Sequence, residues 1–201
     1  NIEGSNLDVL IQSPGGDPIA AEAIVGLLRS KFSNIRFFVP DQAKSAATMI
    51  CCSGNEILMD DRSELGPIDP QMRVTRADGA TIFAPAQAII DQFEKAKESL
   101  TGHADQLPAW LPILQSYAPS LLVSCEDADS LSKSLVMSWL EKYMFFDHKD
   151  SHEIANKIAL FLGDAKKHLS HGRRIDKNQL IEIGMKIFDL STNKPLQDAI
   201  W

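Results

Sequence analysis

Two apolar runs, Leu7 to Ile11 and Ile35 to Val39, each end in a segment of small residues that opens a helix, and this repetition constrains the fold more than any other feature. The first run leads into Ser13-Pro14-Gly15-Gly16-Asp17, the second into Ala43-Lys44-Ser45-Ala46-Ala47-Thr48-Met49. Short continuous apolar runs bounded by turn residues read as strands buried on both faces of a parallel sheet. Strand–helix–strand succession then brings both strand-to-helix turns to one end of the sheet, where open α/β folds build ligand sites.

The rest of the first half follows the same grammar. Asp17 is a good N-cap and Pro18 a good first residue for a helix over 18–32, with Ala20, Ile24, Leu27 and Leu28 as its apolar face. A short buried helix over 45–53 stops at Gly54, and Glu56–Met59 forms a third strand. A turn-rich stretch, Ser63 to Pro70, precedes a hairpin of Gln71–Thr75 and Thr81–Ala84 around Asp78-Gly79. From Pro85 onward the chain reads as helical: 85–100, a loop over 102–108, a long stretch over 120–146 with Leu131, Leu135, Trp139 and Met144 as core, and helices near 154–162, 177–190 and 196–200. We therefore expect an α/β core over 1–100 and a helical annex of the same domain over 101–201.

Composition removes several function classes. The 201 residues carry a net charge of −7, which argues against nucleic acid as a partner. No apolar run reaches the about 20 residues needed to cross a bilayer. Cys51, Cys52 and Cys125 are too few and too poorly spaced for a disulfide framework or a metal site, and read as small buried hydrophobes in a reducing compartment. No cofactor fingerprint is present: neither a dinucleotide glycine pattern nor the lysine of a phosphate loop. We expect a cytoplasmic protein without metal or cofactor. The first buried strand begins within a few residues of Asn1, so we also expect a piece of a longer chain, with membrane association only through upstream sequence.

The two turns offer complementary chemistry. Gly15 and Gly16 present backbone N–H groups that can approach a ligand oxygen closely, at the start of a helix that favours negative charge. The same pair also serves as an ordinary tight turn. Ser45 sits where a hydroxyl caps a helix, and equally where a nucleophile faces an oxyanion hole. Thr48, one turn further on, is a rival hydroxyl expected to face the core or bond back to a carbonyl.

Taken together, Ser13-Pro14-Gly15-Gly16-Asp17, Ala43 to Met49, Ser53-Gly54-Asn55-Glu56-Ile57 and Ser63 to Gln71 resemble the Clp/crotonase superfamily. Within it they are most similar to signal-peptide peptidase A-type enzymes, specifically the serine dehydrogenase proteinase family, whose Gly-Pro-Ile-Asp-Pro-Gln signature stands at residues 66–71. The resemblance covers residues 7–100 well and the helical remainder through weaker motifs.

The resemblance implies a crotonase/Clp-protease-like fold and a serine peptidase that acts through an acyl-enzyme on Ser45. It implies an oxyanion hole from the Gly16 and Ala46 amides, a peptide or protein substrate, and a homo-oligomer. The proteolytic Clp subunits have a histidine near the position of Asp69-Pro70, but the first histidine here is His103. Signal-peptide peptidases instead use a downstream lysine, which points to Lys97, with Lys95 as runner-up. Solvated lysines on an amphipathic helix are the plainer reading of both, since a lysine base needs desolvation. Lys44 and His171 are further candidates, although His171-Gly172-Arg173-Arg174 also reads as a helix terminus. Gly15 and Asp69 are candidate substrate-positioning residues, with turn formation as their alternative. Two rival functions stand beside the peptidase: an acyl-CoA hydrolase or isomerase using the same oxyanion hole, and a non-catalytic binding module.

Overall fold

The computed structural model describes residues 4–75 and 78–200. In chain order its elements are β1 (Asn6–Leu10), α1 (Pro18–Lys31), β2 (Asn34–Val39), β3 (Gln42–Ala43), α2 (Ala46–Cys52), β4 (Glu56–Met59), β5 (Glu64–Leu65), β6 (Gln71–Thr75), β7 (Thr81–Pro85), α3 (Ala86–Leu100), α4 (Leu107–Gln115), α5 (Leu121–Trp139), α6 (Ser151–Leu162), α7 (Ala165–His168), α8 (Lys177–Ile183), β8 (Ile187–Asp189) and α9 (Lys194–Ile200). They form two compact units, Asn1–Ile68 with Ser132–Trp201, and Asp69–Leu131.

The first unit is built on a parallel sheet in the order β1-β2-β4-β8. Its central strands are buried on both faces, as their continuous apolar sequence requires. Ile35, Phe37, Val39, Ile57 and Met59 join the main core with Trp139, Leu140, Met144 and Ile158. Phe38 and Leu58 point to the opposite face and pack with Leu190, against which Phe188, Leu196 and Ile200 lie. A second, lateral ladder lies beside this sheet. β3 pairs β5 in parallel, Ser13 bridges Ala43, and Leu65 bridges Ile175.

Local signals explain the helix boundaries. Asp17 accepts the Ile19 N–H at 2.7 Å and starts α1, with Pro18 in its first turn. Asp176 and Gln179 form a reciprocal capping box on α8. The Arg29 guanidinium, drawn in at the end of α1, donates to the Ser53 carbonyl and Asn55 Oδ1 and stacks 4.0 Å from the Tyr143 ring. Burial lowers its pKa to about 10, so it keeps its charge at neutral pH.

Three expectations from sequence are corrected. The buried face of α1 carries Ala21 and Val25, with Leu28 at its margin, whereas Ile24 and Leu27 are 46% and 59% exposed and Ala20 is exposed. Apolar residues occupy both sides of this helix, so periodicity alone does not choose the side; the smaller pair faces inward, where α1 packs on α2. The helix expected over 177–190 ends at Ile183, because Gly184 takes φ +102 as its C-cap, and the residues after it form β8. The loop expected over 102–108 contains a 3-10 turn at Ala104–Gln106, and Pro108 stands in the first turn of α4, where a missing N–H costs no hydrogen bond.

The second unit is the antiparallel β6–β7 hairpin with α3, α4 and the start of α5. Ala86, Ile89 and Cys125 form its core, with Met72, Val74, Tyr117 and Leu121 packed on them. Residues 76 and 77 of the hairpin turn lie outside the described residues. Among the described residues no helix is long and apolar enough to cross a membrane.

β8 is fastened by charge as well as by pairing. Lys177 Nζ lies 2.6 Å from Asp189 Oδ2 and 2.8 Å from Asp61 Oδ1. Desolvation opposes charge on both Lys177 and Asp189, yet the hydrogen bonds and opposite charges together outweigh it, so Lys177 is raised and Asp189 lowered from their ordinary values. Asp189→Asn should therefore lower stability by about 2 kcal/mol at neutral pH. Because Asp189 is depressed on folding, that difference is present above the ordinary carboxylate value of about 3.9 and fades as pH falls through the depressed one. The raised Lys177 keeps its share up to about pH 10. Urea unfolding of both proteins from pH 2 to 9 measures this; a difference that grows in acid would contradict it.

Candidate functional site

The lateral ladder sets three chain segments side by side at the end of the sheet. Ser13 N–H donates to the Gln42 carbonyl at 2.9 Å, and Lys44 N–H donates to the Ser13 carbonyl at 3.0 Å. Leu65 exchanges backbone hydrogen bonds with Ile175 at 3.0 and 3.1 Å. The residues that follow Ser13, Ala43 and Leu65 therefore emerge together: Gly15-Gly16, Lys44-Ser45 and Gly66.

Gly15 and Ser45 are in direct approach. Gly15 adopts φ +114, and its N–H donates to Ser13 Oγ at 3.1 Å. A Cβ added there would stand 2.7 Å from Ser45 Cβ, 2.9 Å from the Lys44 carbonyl oxygen and 3.4 Å from Ser45 Oγ. Both the dihedral and the space demand glycine. Gly16, by contrast, is exposed, and a Cβ there would meet nothing within 4 Å, so its backbone is open to a ligand.

Ser45 precedes α2 with φ 51 and ψ −121, outside even the left-handed helical region that non-glycine residues visit. Holding it there costs on the order of 1–3 kcal/mol. Its hydroxyl makes no capping hydrogen bond to the helix, which removes the cap as the reason for a serine at this position. A half-buried hydroxyl on a sharp, strained strand-to-helix turn is the arrangement of a nucleophile elbow. Ala46, buried, is the first residue of α2, and the amides of Ala47 and Met49 are already taken by the Lys44 and Ser45 carbonyls.

Thr48 is no rival to Ser45. It is fully buried, and its hydroxyl donates to the Ala43 carbonyl at 2.6 Å while accepting the Gly66 N–H at 3.0 Å. Lys44 is 6% exposed. Its ammonium meets Glu64 Oε1 at 2.7 Å, the Leu65 carbonyl at 3.1 Å and the Arg173 carbonyl at 3.4 Å. Arg174 Nε stands 3.4 Å from the other oxygen of Glu64. Three acceptors thus surround the Lys44 ammonium and tie it into the ladder.

The remaining candidates are placed as follows. Asp69 and Lys97 belong to the second unit. Asp69 is buried and its Oδ2 accepts from Gln71 Nε2 at 2.7 Å. Lys97 is 65% exposed on α3 and pairs with Glu94 at 3.0 Å; Lys95 is exposed beside it. His171 is half-buried in a turn three residues past the end of α7. Cys51 and Cys52 are fully buried, and desolvation pushes the Cys52 thiol up to about 12, far from a reactive thiolate. Among the described residues no group of three His, Cys, Asp or Glu could hold a metal ion. Sequence reasoning missed Glu64, Arg174 and the bond between Thr48 and Gly66. The glycine of the 66–71 signature was the available signal, since a Cβ on Gly66 would stand 2.6 Å from Lys44 Cδ.

Gly15→Ala should cost more than about 1 kcal/mol of stability, because a positive φ and a clash with Ser45 act together. Gly16→Ala, which meets open space, should cost less. Thermal unfolding of the two variants measures the contrast, and equal losses would show that Gly15 does not carry the approach.

Comparison with known proteins bears on the family and the fold. Residues 2–100 match the family described as ClpP-like SDH-type serine proteinase. The chain is 38% identical over 66 residues to the uncharacterized protein MJ0137 of Methanocaldococcus jannaschii, and 33% identical over 70 residues to the uncharacterized protein MJ1495 of the same organism. These matches cover 33% and 35% of this chain but 23% and 24% of those proteins, so the aligned part is about a quarter of the length of these relatives. Among solved structures, a serine-to-alanine mutant of 1510-N, a membrane-bound stomatin-specific protease, is similar in fold with a TM-score of 0.52 at 15% identity, over 96% of this chain and 68% of that one. Both strand-to-helix turns, Ser45 and the 66–71 signature lie inside the matched span, so it is residues 2–100 that carry the likeness to the ClpP-like SDH-type serine proteinase family.

Proposed function

We propose that this chain is a serine endopeptidase module whose nucleophile is Ser45. The observation that carries the reading is the uncapped Ser45 hydroxyl on a strained turn pressed against Gly15. In the proposed reaction Ser45 Oγ attacks the scissile carbonyl carbon and its proton passes to a base. The resulting oxyanion is held by the Gly16 and Ala46 N–H groups. Collapse expels the amine, which takes the proton, and leaves an acyl-enzyme that water hydrolyses.

Lys97 is the base of this proposal. Its support is the resemblance to enzymes with a downstream lysine, together with the full engagement of Lys44 by three acceptors. Within its own unit Lys97 is exposed and ion-paired, so a bound peptide or a second copy of the chain would have to supply the desolvation a lysine base needs. The same exposure is the observation that favours the second reading, a binding module without a base. We assign Gly15 and Asp69 to substrate positioning, and peptide or protein to the substrate.

A serine-reactive fluorophosphonate should label Ser45, and Ser45→Ala should abolish labelling and peptide turnover. Lys97→Met should lower turnover at least ~10²-fold while changing stability by under about 0.5 kcal/mol, as for an exposed side chain. With a lysine base the rate rises with pH across the titration of that lysine in the complex, whereas a limb near ~6.5 would report an imidazole. Retained turnover in Lys97→Met with loss in Lys95→Met moves the role to Lys95. No labelling and no turnover at any pH decides for the binding module, and thioester turnover surviving Ser45→Ala decides for acyl-CoA chemistry.

A further inference from the structure

The two polar side chains that flank Ser45 grip one and the same peptide group. Lys44 Nζ donates to the Leu65 carbonyl at 3.1 Å, and Thr48 Oγ1 accepts the Gly66 N–H at 3.0 Å. Those two atoms are the opposite ends of the peptide bond joining Leu65 to Gly66. Both side chains are buried, so each hydrogen bond is shielded from competing water. Glu64 and Arg174 complete the charge balance around Lys44, and the Arg173 carbonyl takes its third donor. Gly66 is the residue that permits the grip, because a Cβ would displace Lys44 Cδ.

We infer that Lys44 and Thr48 are positioning residues that clamp the Leu65–Gly66 peptide from its two ends and thereby fix the backbone of Ser45 between them. The inference rests on the reading of Ser45 as nucleophile. A residue at φ 51 and ψ −121 relaxes unless its neighbours hold it, and here the residue before it and the residue three after it are tied to one external anchor. Lys44 is also tied by its backbone to Ser13, so the anchor for Ser45 and the turn carrying Gly15 and Gly16 move as one piece. The clamp thus sets the distance between hydroxyl and oxyanion donors, on which acceleration by orientation depends. Lys44 acts through geometry and takes no proton.

The test compares Lys44→Met, Thr48→Val, the double variant and Thr48→Ser with the unaltered chain on a short unstructured peptide. Each of the first two should lower kcat by about 10²-fold with KM within about twofold, the cost of small misplacement. The double variant should lose less than about tenfold beyond either single one, since both hold one peptide group. Thr48→Ser, which keeps the hydroxyl, should recover most of the rate. The pH limb should keep its position in Lys44→Met. Exchange of the Gly66 amide proton should accelerate at least about tenfold in Thr48→Val. Should either single variant fail to fold, Gly66→Ala, which crowds Lys44 while leaving both side chains in place, should reproduce the loss in kcat. Unchanged kcat, fully additive losses, unaltered exchange at Gly66 or a displaced pH limb in Lys44→Met would each overturn the clamp. Turnover that survives Ser45→Ala overturns the serine reading and the positioning role with it. Turnover that needs Ser45 but ignores the clamp variants overturns the clamp alone.

Discussion

The hydrogen bonds on either side of Leu65 support the rest of the site. On one side β5 pairs with β3, on the other Leu65 pairs with Ile175, and Ser13 extends the ladder beyond Ala43. No part of this ladder is long: β3 and β5 have two residues each. Strands so short have little intrinsic stability, and they persist because buried side chains fasten them from within. Lys44, Thr48 and Ser63 perform this service, the last by donating to the Val39 carbonyl and accepting the Asp60 N–H. The arrangement converts a weak ladder into a rigid support for a backbone conformation that no free chain would hold.

The parallel sheet beneath contributes through packing rather than polarity. Its central strands bury side chains on both faces, and the two clusters they feed draw on residues far apart in sequence, Trp139 to Ile158 on one face and Leu190 to Ile200 on the other. Full burial of such side chains contributes about 1.5–3 kcal/mol each, against which a strain of a few kcal/mol at Ser45 is sustainable. Function at one end of the sheet is thereby supported by hydrophobic surface removed from water along its whole length.

The parts legible in sequence are those governed by local rules. Asp17-Pro18 marks its helix start through one capping bond, and the paired strand-to-helix turns announce that Gly15 and Ser45 are neighbours. What stayed hidden depends on partners that are distant in the chain. The inward side of α1 is decided by what α2 leaves room for, and a helix with apolar residues on both sides carries no sign of it. β8 is three residues long, too short for alternation to show, and only Gly184 hinted that the preceding helix ends. Lys44 looks like any basic residue next to a serine until the fold brings Glu64 and the Arg173 carbonyl to it.

The bond between Lys44 and the Arg173 carbonyl spans 129 positions. A ribosome adding 5–20 residues per second needs roughly ten seconds to cover that distance. Throughout that interval the serine and its glycine turn exist without the segment that carries Arg173, and Ile175 has yet to pair with Leu65. The order of synthesis thus acts as a timer: the strained turn gains its contacts with Arg173 and Ile175 only once those residues have emerged, so in a growing chain the two halves of its support are separated in time as well as in sequence.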